Sequence, residues 1–238
     1  MTSGQYQEIS LDEFNFWKEK LLAKGLQQSY LEKSHQLEFS NSQNWYVRIM
    51  LPWSLDFNEQ ENSLLPIEDY HLALVMIRAG IACAGYFHNG LMLDHKVFRA
   101  YMVRKKQGKS QIKYLKTKGK SRAGSRVRLG ESELFFNEIN ERLIEYSDQY
   151  PINDWGISCS KTLWPYFFGS SIAPPFDKQQ DNLRTIPFHV RQPDFETLQD
   201  MHQKLNSYHL LFSESGEEML ADIKYQKQDS EENQDEDW

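Results

Sequence analysis

Three strand-like segments follow one another closely between residues 72 and 103, and they restrict the fold more than any other feature. Residues 72–77 are continuously apolar, which is typical of a strand that is buried on both faces. Residues 81–87 follow after Ala79 and Gly80, and Asn89-Gly90 then gives a strong hairpin signal before residues 91–103. The sequence therefore predicts an antiparallel sheet in which consecutive strands are neighbours.

Helical and further strand patterns surround this meander. A capping box at Ser10 and Glu13 predicts a helix that ends at Gly25. Further helices are predicted over residues 132–147 and 194–205, and further strands over residues 45–51, 155–159, 185–190 and 208–212. Residues 54–68 read as a polar connector. The residues of the last helix that are predicted to face inward are Phe195, Leu198, Met201 and Leu205.

Composition and motif content exclude several classes of protein. Apolar residues make up 39% of the chain, which is enough for a folded core. The chain has two cysteines, too few for a four-thiolate zinc site or a disulfide framework, and Cys83 reads as a small buried hydrophobe. No metal or cofactor motif is present. Because no secretory signal and no membrane-length apolar run are found, we expect a cytoplasmic protein without a membrane partner.

The charge of the chain is strongly segregated. Residues 95–130 contain no Asp or Glu but hold 13 of the 27 basic residues, whereas the rest of the chain has a net charge of −20. Solvated faces usually mix both signs of charge, so this segment predicts contact with a polyanion at one place. Within it, residues 104–125 have few large apolar side chains and three glycines, which is typical of a long functional loop.

The chemical content of this basic loop is unusual for a hydrolase. The sequence has no GxSxG, P-loop or GxGxxG motif, and the loop has no Ser-His or Cys-His pair and no carboxylate base. It does contain Gly108 and Gln111 among lysines and arginines. By spacing alone, a glutamine in a polar loop carries little information.

Four sequence blocks stand in a fixed order along the chain: HKVFRAYMVRKKQGKSQ at residues 95–111, RAGS at 122–125 with Arg128, IPF at 186–188 and RQP at 191–193. Together these blocks resemble the VLRF family, whose eukaryotic members include a factor that cleaves peptidyl-tRNA in ribosome quality control. The resemblance covers roughly residues 67–210. This chain departs from the family at Lys109 and Ser110, where a second loop glycine is absent, and at Leu129, where an Arg often stands. It reads as a short stand-alone form without zinc finger or ankyrin repeats.

The resemblance implies an α/β fold like the middle domain of eukaryotic class I release factors, with a ribonuclease-H-like mixed sheet and flanking helices. It implies that Gln111, with Gly108, occupies the catalytic place of the Gly-Gly-Gln loop of those factors. The basic residues around it are expected to bind RNA: Arg104, Lys105, Lys106, Lys109, Lys113, Arg122, Arg126 and Arg128. The implied partners are the large ribosomal subunit and peptidyl-tRNA, bound by a monomer that needs no cofactor.

The domain assignment and two alternative functions complete the sequence-based expectations. Residues 1–65 are predicted to form a helix-strand extension, residues 66–212 the catalytic domain with the basic loop 104–125, and residues 213–238 an acidic, disordered tail. The first alternative is a non-catalytic ribosome- or RNA-binding protein. The second is a metal-dependent nuclease with Asp69, Asp94 or Asp154 as ligands, although these residues show no ligand-like spacing.

Overall fold

The structure is a computed structural model that describes residues 6–100 and 121–221, with side chains in the second range from residue 133 onward. In these ranges the chain forms two compact units, the first from residues 6–67 and 203–221 and the second from residues 68–100 and 121–202. Within the described ranges, every helix is too short or too polar to cross a membrane.

Twelve strands and five α-helices make up the described fold. In chain order they are β1 (Gln7–Ile9), α1 (Leu11–Ala23), β2 (Gln27–Leu31), β3 (Gln36–Ser40), β4 (Trp45–Met50), β5 (Leu55–Asn58), β6 (Ser63–Pro66), β7 (His71–Arg78), β8 (Ile81–His88), β9 (Leu91–Arg99), α2 (Ser121–Gln149), β10 (Asp154–Cys159), α3 (Trp164–Phe168), β11 (Leu183–Thr185), α4 (Phe195–Leu205), β12 (Tyr208–Phe212) and α5 (Glu214–Met219).

The first unit is an antiparallel sheet packed against α1. The strand order is β1-β12-β4-β3-β2. The predicted capping box of α1 is confirmed, since Ser10 Oγ accepts from Glu13 N at 3.2 Å and Glu13 Oε2 accepts from Ser10 N at 2.6 Å. Trp17 of α1 meets Phe212 of β12 edge to face, with ring centroids 5.4 Å apart. Strand β12, assigned from sequence to the domain of residues 66–212, therefore makes its strand pairs and this aromatic contact in the first unit.

The second unit is a mixed sheet with the order β11-β10-β7-β8-β9. Strands β7, β8 and β9 form the predicted antiparallel meander, and β10 runs parallel to both β7 and β11. Every residue of β7 except Arg78 is buried, as the continuous apolar run predicts. Asn89 and Gly90 both have positive φ, which confirms the Asn-Gly turn. The mixed α/β class is therefore confirmed.

Helices cover both faces of this sheet. On one face, α2 shares a core with β8. The core residues that these two elements contribute are Ala82, Ala84, Tyr86, Phe135, Phe136, Ile139, Leu143 and Tyr146. Gly85 and Phe87 point to the opposite face because side chains alternate along a strand, and there they meet Leu198 and His202 of α4. Gly85 leaves room for this approach, since a Cβ there would lie 2.5 Å from Leu198 Cδ2.

Five sequence-based expectations differ from the structure. Residues 214–219 of the predicted disordered tail form helix α5, which Ser213 caps. Residues 54–68 are not only a connector, because β5 and β6 pair as a hairpin. Helix α2 begins at Ser121 rather than near residue 132, so residues 121–125 of the predicted loop are helical. Strand β11 ends at Thr185, just before Pro187, which has no N–H to donate to a ladder. Phe195 is 38% exposed because it begins α4, whereas Leu198, Met201 and Leu205 are buried as predicted.

Candidate functional site

The predicted catalytic pair, Gly108 and Gln111, lies outside the described residues. The same holds for most of the predicted RNA-binding residues, namely Arg104, Lys105, Lys106, Lys109 and Lys113. Arg122, Arg126 and Arg128 lie on α2, where the backbone is helical. The structure therefore describes β9 and α2, which contain the two ends of the basic segment of residues 95–130.

Strand β9, which contains the start of the basic segment, is anchored in the sheet as far as its last residues. Phe98 is 2% exposed and pairs with Ala82 of β8, and the N–H of Ala100 donates to the carbonyl of Gly80 at 3.0 Å. Lys96 and Arg99, two members of the basic segment, are exposed on this strand. Their side chains add positive charge to the described start of that segment.

An ion-pair network joins α2 to β9. The guanidinium of Arg142 donates to Asp94 of β9 and, one turn along its own helix, to Glu145. It also lies 5.3 Å from the centre of the Tyr146 ring. Burial tends to lower the pKa of Arg142, but the hydrogen bond to Glu145 and the charge of Asp94 outweigh it and raise that pKa above its ordinary value. The guanidinium therefore remains charged and holds the two flanking elements together.

Asn140 anchors the opposite side of α2 to the segment after α3. Its Nδ2 carries two N–H donors and lies within hydrogen-bond distance of three acceptors, the carbonyl of Phe167 at 3.0 Å, Ser170 Oγ at 2.8 Å and the carbonyl of Ile172 at 2.7 Å. Asn140 is fully buried, so these acceptors compensate the loss of water around its amide nitrogen. Sequence reasoning missed this residue. The available signal was a polar side chain at helical spacing between Phe136 and Leu143, inside the apolar stripe.

The three aspartates of the nuclease alternative lie among different partners. Asp94 pairs with Arg142. Asp154 accepts from Tyr70 Oη at 2.9 Å and pairs with Arg184, whose Nε lies 2.9 Å from its Oδ1. Asp69 contacts His71 and His88. Within the described residues these three carboxylates do not lie together in one ligand set, although Asp69 lies beside two histidines.

Comparisons with curated proteins and with solved structures each find a similar protein. A curated relative, the tRNA endonuclease ANKZF1 of Bos taurus, is 25% identical over 164 residues, which are 62% of this chain and 22% of the relative. The chain thus spans about a fifth of that protein. A solved structure, the Vms1 mitochondrial localization core, is similar at 12% identity with a TM-score of 0.42, covering 85% of this chain and 84% of that one.

The family assignment rests on a match to the sequence itself. A family model described as Bacteroidetes VLRF1 release factor matches residues 72–212, which are more than half of the chain. This range begins at the central strand β7 and contains the basic segment, Gly108 and Gln111. The resemblance seen in the four sequence blocks is thereby confirmed, and the chain belongs to the Bacteroidetes VLRF1 release factor family.

Proposed function

We propose that this protein acts in ribosome quality control and releases stalled nascent chains by cleaving peptidyl-tRNA, with Gln111 positioning the nucleophile. The observation that carries the proposal is the family match over residues 72–212, a range that includes Gly108 and Gln111. Both residues are proposed to act at the catalytic centre of the large ribosomal subunit.

The chemistry of glutamine fits a positioning role. Its amide does not titrate near neutral pH, so Gln111 is not a general base, but it can both donate and accept hydrogen bonds. Orienting a water or a ribose hydroxyl against the reacting centre lowers a barrier by several kcal/mol. A donor directed at developing negative charge contributes about 2.7–4 kcal/mol. Gly108, which has no side chain, allows the backbone to approach the RNA closely.

The basic residues account for binding of the tRNA end. Between residues 95 and 130 the chain carries 13 Lys or Arg residues and no acid. Phosphate contacts from such residues fix the register and orientation of a nucleic acid, and they provide affinity that decreases with salt. The remainder of the chain is acidic, so RNA contact is directed to this segment.

The described elements support the proposal because β9 and residues 133–149 of α2, on either side of residues 101–120, pack on one sheet. Phe98 packs in the core at the end of β9, and Arg142 joins α2 to Asp94 of the same strand. Asn140 fixes α2 from the other side through the hydrogen bonds of its Nδ2. A site carried between packed elements is positioned more precisely than one on an unsupported loop.

The proposal includes a fold like the middle domain of eukaryotic class I release factors. The mixed sheet, with antiparallel β7, β8 and β9, parallel β10 and β11, and helices on both faces, supports it. A catalytic domain over residues 66–212, a monomeric state and a cytoplasmic location belong to the same proposal.

Two bonds of peptidyl-tRNA are candidates for cleavage. One is the ester between the peptide and the tRNA, cut by water. The other lies near the 3′ end of the tRNA, with a ribose 2′-hydroxyl as the nucleophile. The name of the bovine relative, a tRNA endonuclease, supports the second bond.

Purified stalled ribosome–nascent-chain complexes test the proposal directly. Adding the protein should free the nascent chain, and sequencing the 3′ end of the tRNA then identifies the bond. An intact 3′ end indicates ester hydrolysis, whereas a shortened one indicates cleavage within the tRNA. Binding to the ribosome without any release, at excess protein, would instead support the non-catalytic alternative.

A further inference from the structure

Asp69, His71 and His88 form a compact group at one end of the mixed sheet, where β7 begins and β8 ends. Each offers one ligand atom, and the three atoms all lie within 4.8 Å of one another. His88 Nε2 is 2.6 Å from Asp69 Oδ1, and His71 Nε2 is 3.4 Å from Asp69 Oδ2. Among the described residues, this is the one group of three such side chains.

We propose that Asp69, His71 and His88 bind one divalent transition-metal ion of the zinc class, with water completing the coordination. The donor set is two imidazole nitrogens and one carboxylate oxygen, which suits zinc, and three protein ligands with an open position are common in zinc sites. The proposal does not rest on the function proposed above.

One ligand distance already fits such an ion, and the others need two adjustments. Zinc binds nitrogen and oxygen at about 2.0–2.2 Å, so tetrahedral coordination separates two ligand atoms by about 3.4 Å. The separation between His71 Nε2 and Asp69 Oδ2 is 3.4 Å. The 2.6 Å contact between His88 and Asp69 has to lengthen, and the His88 ring has to rotate out of its stack with His71 so that both Nε2 lone pairs point at one ion. The side chains of His88 and Asp69 have exposed area in which to move.

The backbone fixes the three positions relative to one another. His71 and His88 are directly paired across β7 and β8, and their rings stack with centroids 4.4 Å apart. Asp69 has a φ of 54°, in the left-handed region that few residues other than glycine adopt. Tyr70 and Asn89 hold this turn, because Tyr70 N donates to Asn89 Oδ1 at 2.8 Å and Asn89 N donates to the Tyr70 carbonyl at 2.9 Å.

The second nitrogen of His71 has a partner that orients the ring. His71 Nδ1 lies 2.7 Å from Tyr86 Oη, and both residues are buried. Tyr86 is itself held by the ring of Tyr150, stacked at 4.0 Å. When Nδ1 donates its proton to Tyr86, the lone pair of Nε2 is directed at the ion, as in metal sites whose histidines are oriented by a second hydrogen bond.

Side-chain exposure to solvent decreases from Asp69 through His88 to His71. The side chains of Asp69, His88 and His71 are 71%, 34% and 9% exposed. An ion has a route to the site from solvent, and water has room to complete its coordination. The segment of residues 101–120 contains no His, Cys, Asp or Glu, so it offers no competing ligand of these kinds.

Zinc and cobalt binding to the full chain, freed of any histidine tag, tests the site. We expect one Zn²⁺ per chain by calorimetry, and visible Co²⁺ bands without thiolate charge-transfer absorption, because neither Cys83 nor Cys159 is a proposed ligand. His88→Ala and Asp69→Asn should each weaken binding at least tenfold. His189→Ala, which removes an exposed histidine elsewhere, should leave it unchanged.

Tyr86→Phe separates a positioning effect from ligation. Removing the hydroxyl that orients His71 should weaken zinc binding by about 10–100-fold while one ion still binds. Absence of Zn²⁺ binding to the wild type, or equal binding to wild type, His88→Ala and Asp69→Asn, would overturn the proposal and leave a hydrogen-bonded cluster only. The wild-type Co²⁺ spectrum needs no substitution, and a thiolate band in it would also overturn the proposal.

Discussion

Asp154 on β10 and Arg184 on β11 form an ion pair across two parallel strands, with Arg184 Nε 2.9 Å from Asp154 Oδ1. Tyr70 Oη donates to the other carboxylate oxygen at 2.9 Å. Burial raises the pKa of Asp154, and both Arg184 and Tyr70 oppose that shift by stabilising the charged form. The buried carboxylate of Asp154 thus links β10 to β11 and to Tyr70, the residue that precedes β7.

Asp154→Ala should destabilise the protein by about 3 kcal/mol, because it leaves the Arg184 guanidinium without its carboxylate. Tyr70→Phe removes one hydrogen bond to that carboxylate and should cost about 1–2 kcal/mol. The free energy of unfolding, measured with urea, gives both values. Asp148→Ala, at an exposed position, is the control and should have little effect. Equal effects of Asp154→Ala and Asp148→Ala would show that the ion pair adds no stability.

Substitution of Gly216 tests how closely α5 packs against β4 in the first unit. A Cβ at this position would lie 2.1 Å from the backbone oxygen of Tyr46, an atom that cannot rotate away. Gly216→Ala should therefore lower stability, by about 2 kcal/mol or more, although alanine is the better helix former. Ser215→Ala, its exposed neighbour on α5, should be close to neutral in the same thermal unfolding experiment. A rise in the melting temperature of Gly216→Ala would contradict this account.

The buried His202 should lower the free energy of unfolding of the protein in acid. Burial lowers its pKa from 6.5 to about 4, so the unfolded chain binds a proton here that the folded chain does not. The contribution of His202 to stability therefore falls as pH decreases through the window from 6.5 to about 4. Relative to wild type, His202→Gln should gain about 3 kcal/mol between pH 7 and pH 4, at about 1.4 kcal/mol per pKa unit.

Exposed His189 supplies the comparison for this pH series. His189→Gln should follow the wild-type pH dependence of the free energy of unfolding, because its side chain stays in solvent. If His202→Gln and His189→Gln have the same pH dependence, burial of His202 does not affect stability in acid.

The sheet of the second unit was predictable because its signals are local. The apolar run of β7 and the Asn89-Gly90 turn specify strands and their connection without knowledge of tertiary structure. The start of α2 was missed because residues 121–131 have no apolar period, and Arg122, Arg126 and Arg128 read as loop. The hairpin of β5 and β6 was missed because its polar residues resemble a connector.

The cluster of Asp69, His71 and His88 depends on strand register, which hydrophobic pattern alone does not supply. A signal was nevertheless present. A two-residue loop at Ala79 and Gly80 between β7 and β8 pairs Arg78 with Ile81, and counting back from that pair places His71 opposite His88. Asn140 and Arg142 were missed because their partners are distant in sequence, at Phe167 and Asp94 for example.

The basic segment should determine how RNA binding depends on salt. Replacing Arg104, Lys105 and Lys106 with Gln should weaken binding to tRNA and reduce the log–log salt slope by about 0.7–0.9 for each phosphate that the variant no longer neutralises. The matched control replaces three exposed lysines elsewhere, Lys33, Lys161 and Lys178, with the same change in net charge. Equal slopes for the two triple variants would show that net charge, rather than this segment, governs the interaction.

The central claim is that Gln111 positions the nucleophile for cleavage of peptidyl-tRNA. Gln107, four residues earlier, provides a matched control in the same segment. Release of nascent chains from purified stalled ribosomes should be measured for the wild type, Gln107→Ala and Gln111→Ala, with ribosome binding measured by co-sedimentation. We predict that all three proteins bind alike, that Gln107→Ala releases at close to the wild-type rate, and that Gln111→Ala releases at least about 100-fold more slowly, as expected for removal of a donor at the reacting centre. Release by Gln111→Ala at the wild-type rate would contradict the account.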